Sequence, residues 1–185
     1  LEFTLKSAFN SAKNKENIFF GVVDQNHVNS RDTIKSLEFS NQIRYCHIFP
    51  DDSLGVSWAR HLCFSLYNNE KYFLQVDSHT YFEENWDENL IIQYKTLLGK
   101  SSKPIISTYP YGFSIEENNE ITFKKPSGKT VLLLRPKKEL KIDKENLVLQ
   151  FRAKHITSSE AILGCHIAAG FLFANGDFIE EIPYD

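Results

Sequence analysis

Two residues able to share one metal ion, Asp77 and His79, follow directly on a short apolar run, Tyr72-Phe-Leu-Gln-Val76. In an extended backbone, residues i and i+2 project to the same side, ~7 Å apart at Cα for a rise of roughly 3.3 Å per residue. A carboxylate oxygen and an imidazole nitrogen can then converge on a single divalent cation. On an α-helix the same pair would diverge by about 200° and could not chelate. The spacing predicts a metal site at the carboxyl end of a buried strand, where open α/β sheets hold their ligands.

Other groups are weaker on their own. Arg60, taken alone, reads as a surface ion-pair partner ahead of an anion contact near a site. His47 shares a face with Ile43, Tyr45 and Phe49 and reads as a packed or edge histidine. A zinc hydrolase would need two or three closely spaced histidines, which the chain lacks. A nucleotidyltransferase would need two or three carboxylates around two metals, and only Asp77, with Asp24 as a remote second, is placed for that.

The elements that must position these residues follow from periodicity. Leu1, Leu5, Ala8, Phe9 and Ala12 recur at helical spacing over Leu1 to Asn14. Ile18 to Val23 reads as a buried strand, 26–41 as a variable loop, and Ile43 to Phe49 as a second strand. Ser53 is the expected N-cap of a helix over Val56 to Tyr67, with Val56, Ala59, Cys63 and Leu66 as its inward stripe. A further helix starts at Asn85, carries Leu90, Ile91, Tyr94, Leu97 and Leu98 at helical spacing, and ends on Gly99. Acids in its first turn suit the positive end of the helix dipole. Pro104 to Pro110 is a short strand entering a turn. Gly112 to Lys141 then changes to short β-like runs, Ile121–Phe123 and Thr130–Leu134, separated by Asn118-Asn119 and Pro126-Ser-Gly-Lys129. Leu147 to Arg152 continues the β pattern, and Asn175-Gly176-Asp177 caps a short helical turn over Phe178 to Glu181. The fold class is α/β: alternating strands and helices in the first half give a mostly parallel central sheet with helices on both faces, and 112–150 adds an antiparallel β insertion within a single domain over 1–185.

Composition excludes other classes. The 185 residues are 42% hydrophobic and 24% charged, enough for a substantial core. A net charge of -3 argues against a phosphate-backbone binder, and the densest basic stretch, Arg135 to Lys141, carries a compensating acid and reads as a solvated loop. Cys46, Cys63 and Cys165 have no CxxC spacing and read as small buried hydrophobes of a reduced compartment. With no signal peptide and no apolar run of ~18 residues, nothing is expected to span a membrane, and the expected location is the cytoplasm.

The strand followed by Asp77-Ser78-His79 resembles the Asp-x-His metal motif of GT-A-fold glycosyltransferases, as in polypeptide N-acetylgalactosaminyltransferases. More closely, the chain resembles the cytosolic GlcNAc-transferases that modify hydroxyproline and their bacterial relatives. The shared pieces are Gly55-x-x-Trp58-Ala59-Arg60, Tyr72 through Phe82, Trp86-Asp87, Pro104 through Pro110, and Ala168 through Phe173 continuing over Phe178 to Asp185. Each piece is weak alone; five in order are specific.

The resemblance implies a GT-A fold, a UDP-sugar donor (UDP-GlcNAc above others), and Mn²⁺ or Mg²⁺ held by Asp77 and His79 to neutralise the departing diphosphate. Nitrogen ligation favours Mn²⁺. It further implies a donor-binding set of Trp58, Arg60, Asp77, Ser78, Ala169 and Gly170. Within it Arg60 becomes a diphosphate clamp, Trp58 packs near the nucleotide or fills the core, and Ala169-Gly170 either lets the sugar approach or makes a tight strand crossing. His155 and His166 are candidate extra ligands or structural histidines. Relatives retain configuration and need no obligatory general base; for an inverting reaction Glu180 or Glu181 would be the carboxylate. Relatives also open with a strand that cradles uracil and continue past Pro-Tyr-Asp, so the expectation is a chain trimmed at both ends, attached to a membrane, if at all, through missing regions. The acceptor is a hydroxyl of a protein or glycan. The competing expectation is a non-catalytic GT-A-like binding module or an inactive truncated transferase domain.

Overall fold

The computed structural model describes residues 1–117, 120–124, 130–137 and 151–184. The turn residues at 118–119 and 126–129, most of the basic stretch after Lys137, and 147–150 of the last expected β run lie outside them.

Helix α1 (Glu2–Ser11) forms where the helical spacing requires it. Its apolar side, Leu5 with Phe9, enters a core with Val22, Ile34, Leu37 and Phe39, and the Phe9 and Phe39 rings stack at 4.1 Å. Strand β1 (Phe20–Gln25) begins two residues later than the apolar run, because a 3-10 turn over Lys15–Asn17 occupies the approach. Segment 26–41 is not merely a loop. It folds α2 (Arg31–Lys35) and a 3-10 turn at Ser40–Gln42, since Ile34, Leu37 and Phe39 are three large apolar groups that only a compact path can bury. Strand β2 (Ile43–Ile48) pairs with β1 in parallel, Phe20 opposite Ile43 through Gln25 opposite Ile48.

Helix α3 (Val56–Phe64) packs on β1 and departs from expectation in two ways. Ser53 does not cap it. Gly55 occupies that position at φ 101, a backbone region that side chains rarely adopt, and the Ser53 hydroxyl accepts from Gln25 Nε2 at 2.7 Å. Val56, in the opening turn, is 61% exposed, and the buried residue is Phe64, whose ring meets Phe73 edge-on at 5.1 Å and Tyr184 at 5.0 Å. Strand β3 (Tyr72–Val76) follows, then α4 (Trp86–Leu97), entered through Asn85 in the left-handed region at φ 58. Leu90 and Tyr94 are the buried positions of α4, and Leu98 is half-exposed.

The second half is β-rich, as its turn residues predict. Strand β4 (Ile106–Ser107), β5 (Phe113–Ile115) paired with β6 (Ile121–Phe123), β7 (Thr130–Pro136) paired with β8 (Phe151–Thr157), and β9 (Phe171–Asn175) precede the short α5 (Phe178–Glu181). The fold is mixed α/β, but not around one mostly parallel sheet. Strands β3, β9 and β4 form one small sheet with β9 in the middle; β4–β9, β5–β6 and β7–β8 are antiparallel, and β1–β2 is parallel. The connection from β5 to β6 is too short for the crossover that parallel pairing requires.

The chain divides into two compact units. One comprises Leu1–Phe73, Ser78–Ile105 and Ala174–Asp185, the other Leu74–Asp77 and Ile106–Phe173. Among the described residues, no helix is long and apolar enough to cross a membrane.

Candidate functional site

The apolar strand does deliver Asp77 at its end. β3 stops at Val76, and the Asp77 carboxylate lies against Gly170, at the start of β9. A methyl group built on Gly170 would stand 2.6 Å from Asp77 Oδ2, so any side chain there would displace the carboxylate. Gly170 thus has a steric reason to be glycine that involves Asp77 directly.

Two polar groups that sequence reasoning passed over hold the same place. Gln75 is 9% exposed in an otherwise apolar strand, and its Nε2 donates to the Ala169 carbonyl at 2.7 Å. Ser107 Oγ accepts from the Ala168 amide at 2.8 Å and donates to the Phe171 carbonyl at 2.9 Å. Buried Gln75 must find a partner, and with half-buried Ser107 it pins the Ala168–Phe171 backbone on both sides of Gly170. A glutamine in the run Tyr72-Phe-Leu-Gln-Val76 was the available signal.

Past Asp77 the backbone leaves the extended path. Ser78 and His79 form a turn, and both are exposed, so the strand geometry that predicts a common projection for residues 77 and 79 stops at Val76. Helix α1 supports this turn. Thr4 Oγ1 donates to the Ser78 carbonyl at 2.6 Å and accepts from the Thr80 amide at 3.3 Å. Ser7 Oγ accepts from the Phe82 amide at 2.8 Å, Trp86 Nε1 donates to the Ala8 carbonyl at 2.8 Å, and the Asn85 amide donates to the Ser11 carbonyl at 2.7 Å. Positions 4, 7, 8 and 11 are one face of a helix. Groups on this face grip 78–86.

Asp87 completes this attachment. It is 5% exposed and accepts from the Lys13 amide at 2.8 Å and from the Asn14 amide and side chain at 3.0 and 2.9 Å. Burial pushes its carboxyl up, but these hydrogen bonds outweigh it and hold the group below the usual carboxylate range.

The remaining candidates are distributed as follows. Trp58 and Arg60 are half-buried in the first two turns of α3, in the same unit as Ser78 and His79. Ala169 and Gly170 are half-buried beside Asp77 in the other unit. His47 takes the structural role expected of it, with Nε2 2.8 Å from the Asn26 carbonyl and its ring edge-on to Phe49. His155 stacks on Tyr111 at 6.2 Å, and His166 meets Phe151 edge-on at 5.0 Å. Asp24 accepts from the Tyr45 hydroxyl at 2.8 Å. Glu181 pairs with Lys103, and Glu180 is exposed. Cys46 and Cys63 are half-buried free thiols, Cys63 pushed up by burial, while Cys165 is exposed rather than buried because the 158–167 segment that carries it is open to solvent.

No three His, Cys, Asp or Glu side chains gather into a ready-made metal cluster among the described residues. The family model described as "Glycosyltransferase (GlcNAc)" matches residues 29–185. No curated protein and no solved structure matches the chain.

Proposed function

The chain belongs to the GlcNAc glycosyltransferase family, and from that premise we propose that it is a metal-dependent, retaining transferase of the GT-A kind that moves GlcNAc from UDP-GlcNAc to a hydroxyl of a protein or glycan. The observation that carries the reading is the seat of Asp77. A carboxylate stands at the end of a strand, against a backbone stretch kept free of side chains at Gly170 and fixed by Gln75 and Ser107.

The donor set suits a transition-series cation. One carboxylate and one imidazole make a mixed oxygen and nitrogen donor set, which suits Mn²⁺ better than Mg²⁺. Asp77 and His79 would hold the ion, which when bound supplies positive charge and Lewis acidity toward the leaving diphosphate.

The other steps belong to the chain's own groups. The planar Arg60 guanidinium matches phosphate oxygens in a way an ammonium does not. Trp58, two residues earlier in α3, offers a flat face to the nucleotide. The Ala169-Gly170 backbone lets the sugar lie close, and the Ser78 backbone borders the same motif. A retaining reaction asks for no obligatory base from the protein.

Titration calorimetry with UDP and UDP-GlcNAc, with and without Mn²⁺, tests this on wild type and Asp77→Ala. Wild type should bind UDP only with the metal, and the variant should lose at least about tenfold in that affinity, as first-ligand and outer-shell losses commonly do. Nucleotide binding that ignores both the metal and the substitution would replace the transferase reading with that of a binding module.

A further inference from the structure

We propose that Thr4, on α1 and outside the span matched by the family model, is a positioning residue for His79. The inference rests on the reading of Asp77 and His79 as metal ligands. Thr4 is 7% exposed, and its one hydroxyl engages both peptide groups that flank the His79 Cα. It donates to the Ser78 carbonyl at 2.6 Å on one side and accepts from the Thr80 amide at 3.3 Å on the other. A turn residue held only by its neighbours in sequence samples many backbone conformations. One whose preceding carbonyl and following amide converge on a single buried oxygen does not.

The sequence gives Ser78 and His79 little else to fix them, since both are exposed and lie beyond the strand. The Ser7 hydroxyl, on the Phe82 amide at 2.8 Å, anchors the same segment three residues further on. Helix α1 therefore fixes the backbone that carries the imidazole before any ligand arrives, so that the backbone part of the ordering cost of a metal-binding histidine is met in folding.

The test compares wild type, Thr4→Val, Thr4→Ser, Ser7→Ala, His79→Ala and the Thr4→Val/His79→Ala double variant, by Mn²⁺-dependent UDP calorimetry, thermal unfolding and amide hydrogen exchange. Thr4→Val, which keeps the shape and removes the hydroxyl, should weaken the metal-dependent affinity about tenfold, at the low end for outer-shell partners. Thr4→Ser should restore it. The Thr80 amide should exchange faster in Thr4→Val than in Thr4→Ser. In the His79→Ala background, Thr4→Val should have no further effect on affinity, which a loss of general stability would not reproduce. Equal Thr4→Val effects with and without His79, or a Thr4→Val affinity equal to wild type, would overturn the inference while leaving the transferase reading standing. Absence of metal-dependent nucleotide binding in wild type would remove both.

Discussion

At the scale of the residue, Gly170 is the glycine that bears directly on Asp77. Its missing side chain is replaced by the Asp77 carboxylate, with Oδ2 2.6 Å from where a Cβ would stand. Gly170→Ala should therefore push Asp77 aside and reduce Mn²⁺-dependent UDP affinity by about tenfold or more, with the far-ultraviolet circular dichroism unchanged. An alanine variant that binds as wild type does would mean that Asp77 tolerates displacement and is not a ligand. The position of Asp77 at the end of a strand was legible from the apolar run Tyr72–Val76 before it. Gln75, Ser107 and Thr4 were not, because their importance lies in partners far along the chain, and a single sequence shows no pairings. The i, i+2 argument held for the strand up to Val76 and lapsed at the turn, where backbone hydrogen bonding to α1 decides the path instead.

At the scale of the element, α1 and α4 are joined through the Asp87 carboxylate, which takes three hydrogen bonds from Lys13 and Asn14. Its folded-state pKa lies below the unfolded value, so its contribution is present above the unfolded pKa, near 3.9, and fades as pH falls through the folded one. Asp87→Asn keeps the shape and loses the charge. Near neutral pH it should cost about 2 kcal/mol, the scale of hydrogen bonds to charged groups. Urea unfolding between pH 3 and 7 should show the gap to wild type closing at the acid end; a gap independent of pH would refute this account. Helices were the most readable elements: α1, α3 and α4 all lie where the 3.6-residue period puts them. Their caps and faces were less so. Ser53 and Gly55 exchange roles because the 3-10 turn over Pro50–Asp52 ends on Ser53, and α2 was hidden because five residues are too few to show a period.

At the scale of the molecule, the family match begins at residue 29, yet the first core is built partly from what precedes it. Leu5 and Phe9 close the cluster over Val22, Leu37 and Phe39. A chain beginning at Asn14 should lose about 3 kcal/mol or more from these two side chains together, given roughly 1.5–3 kcal/mol for each large apolar group buried. Thermal unfolding by circular dichroism should show a lower and broader transition; a midpoint equal to wild type would assign α1 no part in the core. The α/β class and the β-rich second half were readable from turn residues and periodicity. Sheet order was not, because pairing β9 between β3 and β4 joins segments that nothing local connects. The inward face of α1 carries a wider implication. Its two hydroxyls and two carbonyls all close on one strap of chain, 78–86, so the opening helix is coupled to a motif some seventy positions downstream. In a selection for sugar transfer, tolerance at Thr4 and Ser7 should follow that of His79, whereas tolerance at Leu5 and Phe9 should follow the stability of the core.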